Sequence, residues 1–288
     1  IQKLNPEAVI GFSPEGYREI PFLVTAKKMG LPTAIMIRSR DNITSKIRFL
    51  PSVDHYYVWS KSIKDRMQKL YPEIKKTKIH ITGSPQFDHH LNSRKRLNRS
   101  EFFNKIELDE NRPLIVYTML TPGIVPNEIE IVQYLADAAN KGLFIDNAQL
   151  LVRGHPRMFG SDIQLLKTTY SNAKIYPKPT AIKYKSSKHE QCLIKLIIED
   201  EPLHLSLLAY QDVQVNICGT MNIDSAIFDK PTVNVFYDQL GNHSVVRNLY
   251  KRSDVIDMMA YKASRLAHSP KECIFLINQY LNNPAMDS

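Results

Sequence analysis

The residues best suited to chemistry run from Cys218 to Asp224, directly after a β-rich run of the chain. Gly219 and Thr220 open a predicted helix here, whose free backbone amides and positive dipole end could bind an anion such as a diphosphate. Asp224 follows one helical turn later and could accept hydrogen bonds from sugar hydroxyls, for example those of a ribose. The same residues also suit an ordinary helix start with an acidic first turn, so both interpretations stay open.

A cationic turn is the second candidate. The run Arg153-Gly154-His155-Pro156-Arg157 also follows a predicted strand and places two arginines beside a histidine. Histidine changes charge near neutral pH, so His155 could donate a hydrogen bond to a phosphate oxygen or transfer a proton. We therefore expect Arg153 and His155 to bind a phosphorylated ligand, with a catalytic role for His155.

Acidic side chains and polar turns also follow strands predicted in the first third of the chain. A carboxylate in such a place could deprotonate an acceptor hydroxyl, although helix capping and turn formation explain the residue types nearly as well. The candidate catalytic bases are Glu19 and Asp41. The candidates for contact with the acceptor are Glu15, Arg18, Gly83 and Ser84.

Motifs of several other enzyme classes are missing from the sequence. It has no Asp-x-Asp triplet to chelate a metal–diphosphate, so we expect no metal and no resident cofactor. The missing Gly-x-Gly-x-x-Gly, Gly-Lys-Ser/Thr and Gly-x-Ser-x-Gly motifs argue against a nicotinamide enzyme, a nucleoside triphosphatase and an α/β-hydrolase. The three cysteines are widely spaced and fit neither a disulfide framework nor a zinc site, which favours a reducing compartment.

Short β-rich runs alternate with amphipathic helices, a pattern typical of parallel sheets with crossover helices. Strands are predicted at 8–12, 33–37, 55–59, 78–82, 114–117, 150–153, 174–176, 213–217 and 232–236. Helices are predicted to begin at Ser13, Ser60, Asn127, Ser161, Pro202 and Thr220, and two closing helices at 253–266 and 270–283. The chain is therefore predicted to be α/β, with two Rossmann-like domains facing a cleft where the strands end.

The predicted domains are residues 1–90, on the acceptor side, and residues 113–288, which bind the nucleotide donor and include the closing helices. Residues 91–112 are polar and basic and are predicted to connect the two. The net charge of the chain is +9, and residues 27–105 alone carry 18 basic and 6 acidic side chains. Such a field attracts phosphates or an anionic membrane surface, although lysines on solvated helix faces would give the same count.

The charge and the composition limit the classes of partner that the protein could bind. The chain has no RNA-binding aromatic motif and no zinc finger, so we expect no nucleic-acid partner. No apolar run approaches the roughly 18 residues of a membrane-spanning helix. We expect a cytoplasmic protein, and the positive charge of its first third, taken together with the family resemblance given below, implies peripheral contact with the inner face of the cell membrane.

The runs Asp41–Lys46, Tyr57–Ser60 and Thr82–Asp88, in this order, resemble bacterial GT-B glycosyltransferase-like proteins of surface-carbohydrate synthesis. CDP-glycerol glycerophosphotransferases are similar. The resemblance implies a GT-B fold in which His155 contacts the donor phosphate and Gly219-Thr220 bind the diphosphate. It places Asp224 where the family has an acidic residue, which in the nucleotide-sugar 2-epimerases is a ribose-binding glutamate.

The sequence departs from that family at several positions. Thr220 replaces a small Ser or Gly, and Arg40 stands where a Trp often precedes Asp-Asn. The first domain is shorter than a full GT-B domain by one or two βα units, so we describe it as truncated. The His-x-Glu-Ala-Gly segment of UDP-N-acetylglucosamine 2-epimerases is missing after the strand that ends near Ile37.

The resemblance implies a metal-independent glycosyltransferase of cell-envelope polysaccharide synthesis. Its partners would be a nucleotide-sugar donor and a glycan or lipid-linked acceptor. The helix that starts at Thr220, together with Arg153 and His155, would stabilise the departing phosphate. The alternatives are a CDP-glycerol-type phosphopolyol transferase, an enzyme similar to the 2-epimerases, and a non-catalytic protein that binds anionic glycans.

Overall fold

The computed structural model describes residues 4–12, 18–46, 51–91, 95–155, 173–176, 201–237 and 244–287. The chain divides into two compact units. Unit 1 comprises Ile1–His89 and Arg252–Met258, and unit 2 comprises His90–Lys251 and Met259–Ser288. Each unit contains a parallel sheet flanked by helices, which confirms the predicted α/β class.

Unit 1 is built on a sheet with the strand order β1-β2-β3-β4. The strands are β1 (Val9–Gly11), β2 (Thr33–Met36), β3 (His55–Val58) and β4 (Ile79–Ile81). Its helices are α1 (Ile20–Lys28) and α2 (Lys61–Leu70), and a 3₁₀ segment spans Pro85–Leu91. Its fully buried side chains include Leu23, Ile35, Tyr56, Val58, Met67 and Ile79.

Both helices of unit 1 begin and end largely for local reasons. The Ser60 side chain accepts a hydrogen bond from the Ile63 amide at 3.3 Å, the predicted cap of α2. Met67 on this helix is buried as expected, but Leu70 is half exposed. Helix α1 starts at Ile20 after Glu19 and is followed by Gly30 at φ +75°. Ser13, its predicted cap, lies outside the described residues.

Unit 2 contains a sheet with the strand order β10-β9-β8-β5-β6-β7, all of whose neighbouring strands are parallel. The strands are β5 (Leu114–Thr118), β6 (Gln149–Arg153), β7 (Ala173–Tyr176), β8 (Val213–Asn216), β9 (Thr232–Val235) and β10 (Arg265–Ala267). The helices are α3 (Arg99–Ile106), α4 (Glu128–Asn140), α5 (201–210), α6 (Met221–Ile227), α7 (Ser244–Tyr250) and α9 (Pro270–Asn282). Helix α8 (Ser253–Met259) lies almost wholly in unit 1.

The strand order of unit 2 is that of a doubly wound sheet, with the chain reversing its direction of strand addition between β5 and β8. Strands β5, β8 and β9 are buried along their whole length, as expected for a sheet covered on both faces. Helix α3 buries Phe102 and Phe103 in a cluster with Leu114 and Val116 of β5. The residues expected to form a connector therefore contribute to the core of unit 2.

Several local predictions differ from the structure. The Asn127 side chain, at the predicted start of α4, makes no cap hydrogen bond, whereas Asn98 and Glu101 form a capping box at the start of α3. The helix predicted over 253–266 ends at Met259, and β10 follows, paired with β9. A three-residue strand is too short to show a period of its own, and its pairing with β9 defines it. Helix α7 was not predicted, and the helix expected from Ser161 lies outside the described residues. Among the described helices, none has the length and apolar character needed to span a bilayer.

Candidate functional site

The strand register of unit 2 brings three strand ends to the same level. Thr118 of β5 pairs with Arg153 of β6 on one side and with Asn216 of β8 on the other. The turns that follow these strands are therefore neighbours at the carboxyl edge of the sheet, on either side of the point where the strand order reverses. Ligands of doubly wound sheets bind in the crevice at this point.

We call the polar residues gathered at this edge the switch-point site. Its members come from the three turns, from α5 and α6, and from the 3₁₀ segment at the start of unit 2. They are His90, Thr121, Arg153, His155, His204, Gly219, Thr220 and Asp224. Sequence reasoning identified five of these, and missed His90, Thr121 and His204.

Arg153 and His155 lie at the end of β6, as the sequence predicts. The Nε2 atom of His155 is 3.2 Å from the hydroxyl of Thr121, which belongs to the turn after β5. The Arg153 side chain is partly buried, and its Nη1 is 3.9 Å from the sulfur of Met221 at the start of α6. The cationic turn thus faces residues from both strands adjoining the reversal point, while Arg157 lies outside the described residues.

The turn that carries Thr121 is held by a buried carboxylate. Glu128, at the start of α4, accepts hydrogen bonds from the Leu120 amide at 2.9 Å and from the Tyr117 hydroxyl at 3.1 Å. Burial raises the pKa of Glu128 to about 7, against the opposite effect of these two hydrogen bonds. The sequence predicts that α4 begins at Asn127, but gives no sign that the carboxylate of Glu128 points inward.

In the turn between β8 and α6, two backbone amides that were expected to be free for an anion already have hydrogen-bond partners. The Cys218 amide donates to Asn234 Oδ1 at 3.2 Å, and the Gly219 amide donates to Asn216 Oδ1 at 3.0 Å. Cys218 itself has φ +44°, in the left-handed region. Thr220 is exposed, and its side chain does not cap the helix. Because the Gly219 amide already donates to Asn216, it is not available to bind an anion.

An asparagine network, formed by Asn216, Asn222 and Asn234, holds the turn between β8 and α6 in place. Asn222 and Asn234 exchange two amide hydrogen bonds of 3.1 and 2.9 Å, and Asn234 also donates to the Ser264 hydroxyl at 2.8 Å. All three asparagines are buried. Through Asn216 and Asn234 the network accepts the hydrogen bonds of the Gly219 and Cys218 amides, and so holds the backbone of this turn. A sequence signal existed, since Asn216 and Asn234 interrupt otherwise apolar strands.

Asp224 lies in the first turn of α6 and pairs with a residue that sequence reasoning missed. Its Oδ1 is 2.9 Å from Nε2 of His90, and the two side chains are only 13% and 9% exposed. His90 comes from the 3₁₀ segment Pro85–Leu91, far from Asp224 in the sequence. No local pattern could have indicated this contact, because it depends on the tertiary fold.

His204 of α5 lies next to this pair. Its ring meets that of His90 edge-on, with centroids 6.3 Å apart. Burial lowers the pKa of His204 well below its ordinary value, and the positive charges of Arg153 and His90 lower it further. His204 is therefore neutral at pH 7 and lies beside His90.

The candidate bases of unit 1 occupy a different setting. Asp41 accepts a hydrogen bond from the Ser39 hydroxyl and pairs with Arg252 at 3.4 Å. Glu19 accepts a hydrogen bond from the Phe12 amide at 2.7 Å, next to Gly11. Both carboxylates therefore have partners within unit 1.

The expected acceptor contacts are distributed along the same unit. Arg18 is exposed, Gly83 adopts φ +76° in a turn, and the Ser84 carbonyl accepts a hydrogen bond from the Phe87 amide. Glu15 lies outside the described residues. Among the described residues, no group of three or more histidine, cysteine or acidic side chains is arranged to hold a metal ion.

No protein-family model and no curated protein matches the chain. Solved structures do match it. One is the UDP-GlcNAc 2-epimerase of Methanocaldococcus jannaschii, at 15% identity and TM-score 0.63, with 98% of this chain and 72% of that chain covered. Another is the UDP-GlcNAc 2-epimerase of Neisseria meningitidis bound to UDP-GlcNAc, at 13% identity and TM-score 0.62, with 99% and 70% covered. The 2-epimerase of Rickettsia bellii matches at 11% identity and TM-score 0.51, with 98% and 74% covered.

The chain has the GT-B fold. At these identities the likeness shows the fold alone, with two Rossmann-like domains, and this confirms the predicted fold class. Within the GT-B fold, the switch-point site lies in the second Rossmann-like domain, at the reversal point of its sheet.

Proposed function

We propose that this chain is a nucleotide-sugar-dependent glycosyltransferase that acts in cell-envelope polysaccharide synthesis. The observation that carries the proposal is the placement of Arg153 and His155 at the end of β6, and of Asp224 in the helix after β8, on either side of the reversal point of unit 2. A cationic turn and a carboxylate at this place complement the two halves of a nucleoside diphosphate. The family resemblance and the GT-B fold support the same assignment.

In this proposal the donor's phosphates lie against Arg153 and His155. The hydroxyl of Thr121, 3.2 Å from His155 Nε2, fixes the position of the imidazole. Asp224 accepts hydrogen bonds from the ribose hydroxyls through Oδ2, because Oδ1 is already 2.9 Å from His90. The Gly219-Thr220 turn contributes the shape of the site, with the Gly219 amide already bonded to Asn216.

The reaction would be a displacement at the anomeric carbon of the donor sugar. The acceptor oxygen forms a bond to that carbon while the bond to the diphosphate oxygen breaks, and a carboxylate takes the acceptor's proton. Positive charge from Arg153 and a hydrogen bond from His155 stabilise the departing diphosphate. Glu19 and Asp41 are the proposed carboxylates, and either must give up a present hydrogen bond to act as the base.

Two other activities fit the same donor half. A phosphopolyol transferase would use a cytidine donor. A 2-epimerase would act on a UDP-sugar alone, like the Neisseria enzyme whose structure holds UDP-GlcNAc. The missing His-x-Glu-Ala-Gly segment argues against the epimerase.

Unit 1 supplies the surface for the proposed membrane-bound acceptor. Helix α1 exposes Phe22 and Val24 beside Lys27 and Lys28, a combination suited to an anionic lipid surface. Cosedimentation with phosphatidylglycerol vesicles, weakened by Phe22→Ser, is the expected result. Equal sedimentation of both proteins would remove the membrane contact from the proposal.

The experiment that tests the proposed function is a thermal-shift panel with CMP, CDP, UDP, GDP and heparin. We expect one nucleotide to stabilise the wild type and Asp224→Ala to lose that effect, while Asp137→Ala, an exposed aspartate on α4, keeps it. UDP or GDP would favour the sugar transferase, and CDP the phosphopolyol transferase. Stabilisation by heparin alone would overturn the enzyme proposal in favour of a glycan-binding protein.

The role of His155 has its own test once a donor is identified. We expect His155→Ala to lower kcat roughly 100-fold with an unchanged circular dichroism spectrum, since positioned acid–base and charge-stabilising groups contribute this much. An unchanged kcat would remove His155 from the mechanism.

A further inference from the structure

Four side chains of the switch-point site come from four separate elements of the fold. Arg153 ends β6, His204 lies on α5, His90 lies on the 3₁₀ segment, and Asp224 lies on α6. The charge of Arg153 acts on His204, the rings of His204 and His90 are 6.3 Å apart, and His90 contacts Asp224 at 2.9 Å. The residue proposed for the ribose, Asp224, is thus in contact with one of two neighbouring histidines.

The contact between His90 and Asp224 constrains the carboxylate. A carboxylate in the first turn of a helix can rotate about its side-chain bonds unless a partner fixes it. His90 Nε2 fixes Oδ1 at 2.9 Å, so Oδ2 is left to accept hydrogen bonds from a ligand. An acceptor held in place before binding loses less entropy when the ligand arrives, and ligand affinity rises accordingly.

The imidazole of His90 is itself held by packing. Its ring centroid is 5.9 Å from that of Phe228 and 6.3 Å from that of His204, and the side chain is 9% exposed. The ring of His90 is therefore fixed on two sides before any ligand binds.

We propose that His90 is a positioning residue for the nucleotide donor, which acts by holding Asp224 in the orientation that binds the ribose hydroxyls. This inference rests on the proposed function, since it takes the ligand of Asp224 to be a ribose. It adds a residue outside the resemblance and a specific consequence: loss of His90 weakens recognition of the ribose and leaves recognition of the phosphates intact.

The test is calorimetric titration of the wild type, His90→Ala, His90→Gln and Asp224→Asn with UDP, CDP and GDP. The 2′,3′-dideoxy form of the nucleotide that binds, and pyrophosphate, complete the ligand set. We expect His90→Ala to raise the Kd of the ribonucleotide about tenfold, the effect of losing one close contact to a charged group. The Kd values of the dideoxynucleotide and of pyrophosphate should not change.

Rescue and coupling separate positioning from a merely structural role. Glutamine can present an amide nitrogen where histidine presents Nε2, so His90→Gln should restore the Kd to within about threefold of the wild type. In the Asp224→Asn background, His90→Ala should have a much smaller effect than in the wild type. His89→Ala, a change at the exposed neighbouring histidine, is the matched control and should bind like the wild type.

Each failure has a distinct meaning. A wild type that binds none of the nucleotides overturns the proposed function and this inference together. A wild type that binds one, with His90→Ala unchanged or equally weakened for the dideoxynucleotide, overturns the positioning role alone.

If His90→Ala does not fold, nuclear magnetic resonance of the wild type decides. The imidazole signals of His90 should shift on binding of the ribonucleotide and stay in place with pyrophosphate. Equal shifts with both ligands would overturn the positioning role.

Discussion

The two units place acidic and polar residues after their strands in the same way, yet use them differently. In unit 2 the turn after β8 is bonded to the buried asparagine network, and Asp224 pairs with His90. In unit 1 the acidic residue after β2, Asp41, pairs with Arg252 from the returning segment Arg252–Met258. The position of a carboxylate after a strand therefore does not reveal its role, and its partners do.

Removal of the asparagine network is expected to have the largest effect and to act on unit 2. Asn234→Leu keeps the branched shape of the side chain but leaves the Cys218 amide, Asn222 and Ser264 without the hydrogen bonds that Asn234 provides. Loss of buried partners costs about 1–3 kcal/mol each, so we expect the free energy of unfolding to fall by about 3–5 kcal/mol. Urea unfolding followed by far-ultraviolet circular dichroism measures this change.

The fluorescence of Trp59, the single tryptophan, reports on unfolding of unit 1, so it allows the unfolding transitions of the two units to be compared. Trp59 lies in unit 1 and stacks edge-on against Phe87, with ring centroids 5.4 Å apart. We expect its transition to shift less than the circular dichroism transition. Asn248→Leu, at an exposed position of α7, is the control and should leave both in place. Equal shifts of the two signals would mean that the units unfold as one.

The second prediction concerns pH and again acts on unit 2. Because burial raises the pKa of Glu128 to about 7, the folded chain holds this proton more tightly than the unfolded chain, whose value is near 4.5. The resulting stabilisation is complete below the unfolded value and is lost as the pH rises through about 7. Relative to Glu128→Gln, the wild type should therefore lose about 3 kcal/mol of unfolding free energy between pH 5 and about pH 8. Parallel pH profiles of the two proteins in urea unfolding would contradict this.

The third prediction acts on unit 1. Asp254 is buried, and it pairs with Arg40 at 3.7 Å and with Arg252 at 3.2 Å. Asp254→Ala leaves the largely buried Arg40 without this counter-charge, and we expect a loss of about 2 kcal/mol in the Trp59 transition. Asp257→Ala removes the partner of Arg66 at a more exposed position and should cost less than half as much. Equal losses would show that burial does not decide the strength of these pairs.

The smallest expected effects come from a matched pair of helix caps. Ser60 caps α2 in unit 1 and Ser269 caps α9 in unit 2, through hydrogen bonds of 3.3 and 3.1 Å to backbone amides. Each serine-to-alanine change should cost about 1 kcal/mol. Ser60→Ala should appear in the Trp59 transition and Ser269→Ala in the circular dichroism transition. If both changes move both signals alike, the two units are not independent in stability.

The sequence predicted most strands because each is a short β-rich run bounded by turn residues. It also located Arg153, His155 and Asp224 at strand ends and helix starts, where local chemistry and position coincide. The α/β class followed from the alternation of elements and the GT-B fold from the resemblance, and the matching structures confirm both. Roles assigned to the individual site residues remain predictions for the experiments above.

What the sequence did not show depends on contacts between distant segments. His90 and His204 lie on elements far apart in the chain, and only the packing of unit 2 brings their rings together. The Glu128 side chain points inward and accepts a hydrogen bond from the Leu120 amide. The predicted helix start at Asn127 could not reveal this contact. The Gly219 amide fits the pattern of an anion-binding turn in the sequence, yet in the fold it is taken by Asn216.

The path of the chain has a consequence for its synthesis. Residues 1–89 leave the ribosome first, but unit 1 also needs Arg252–Met258, which follows nearly all of unit 2. The ion pairs of Asp41 with Arg252 and of Arg40 with Asp254 therefore cannot form while the nascent chain is still being extended through unit 2. If the ribosome pauses within unit 2, chaperones and proteases meet a unit 1 that is still incomplete. The completion of unit 1 therefore depends on how fast unit 2 is translated.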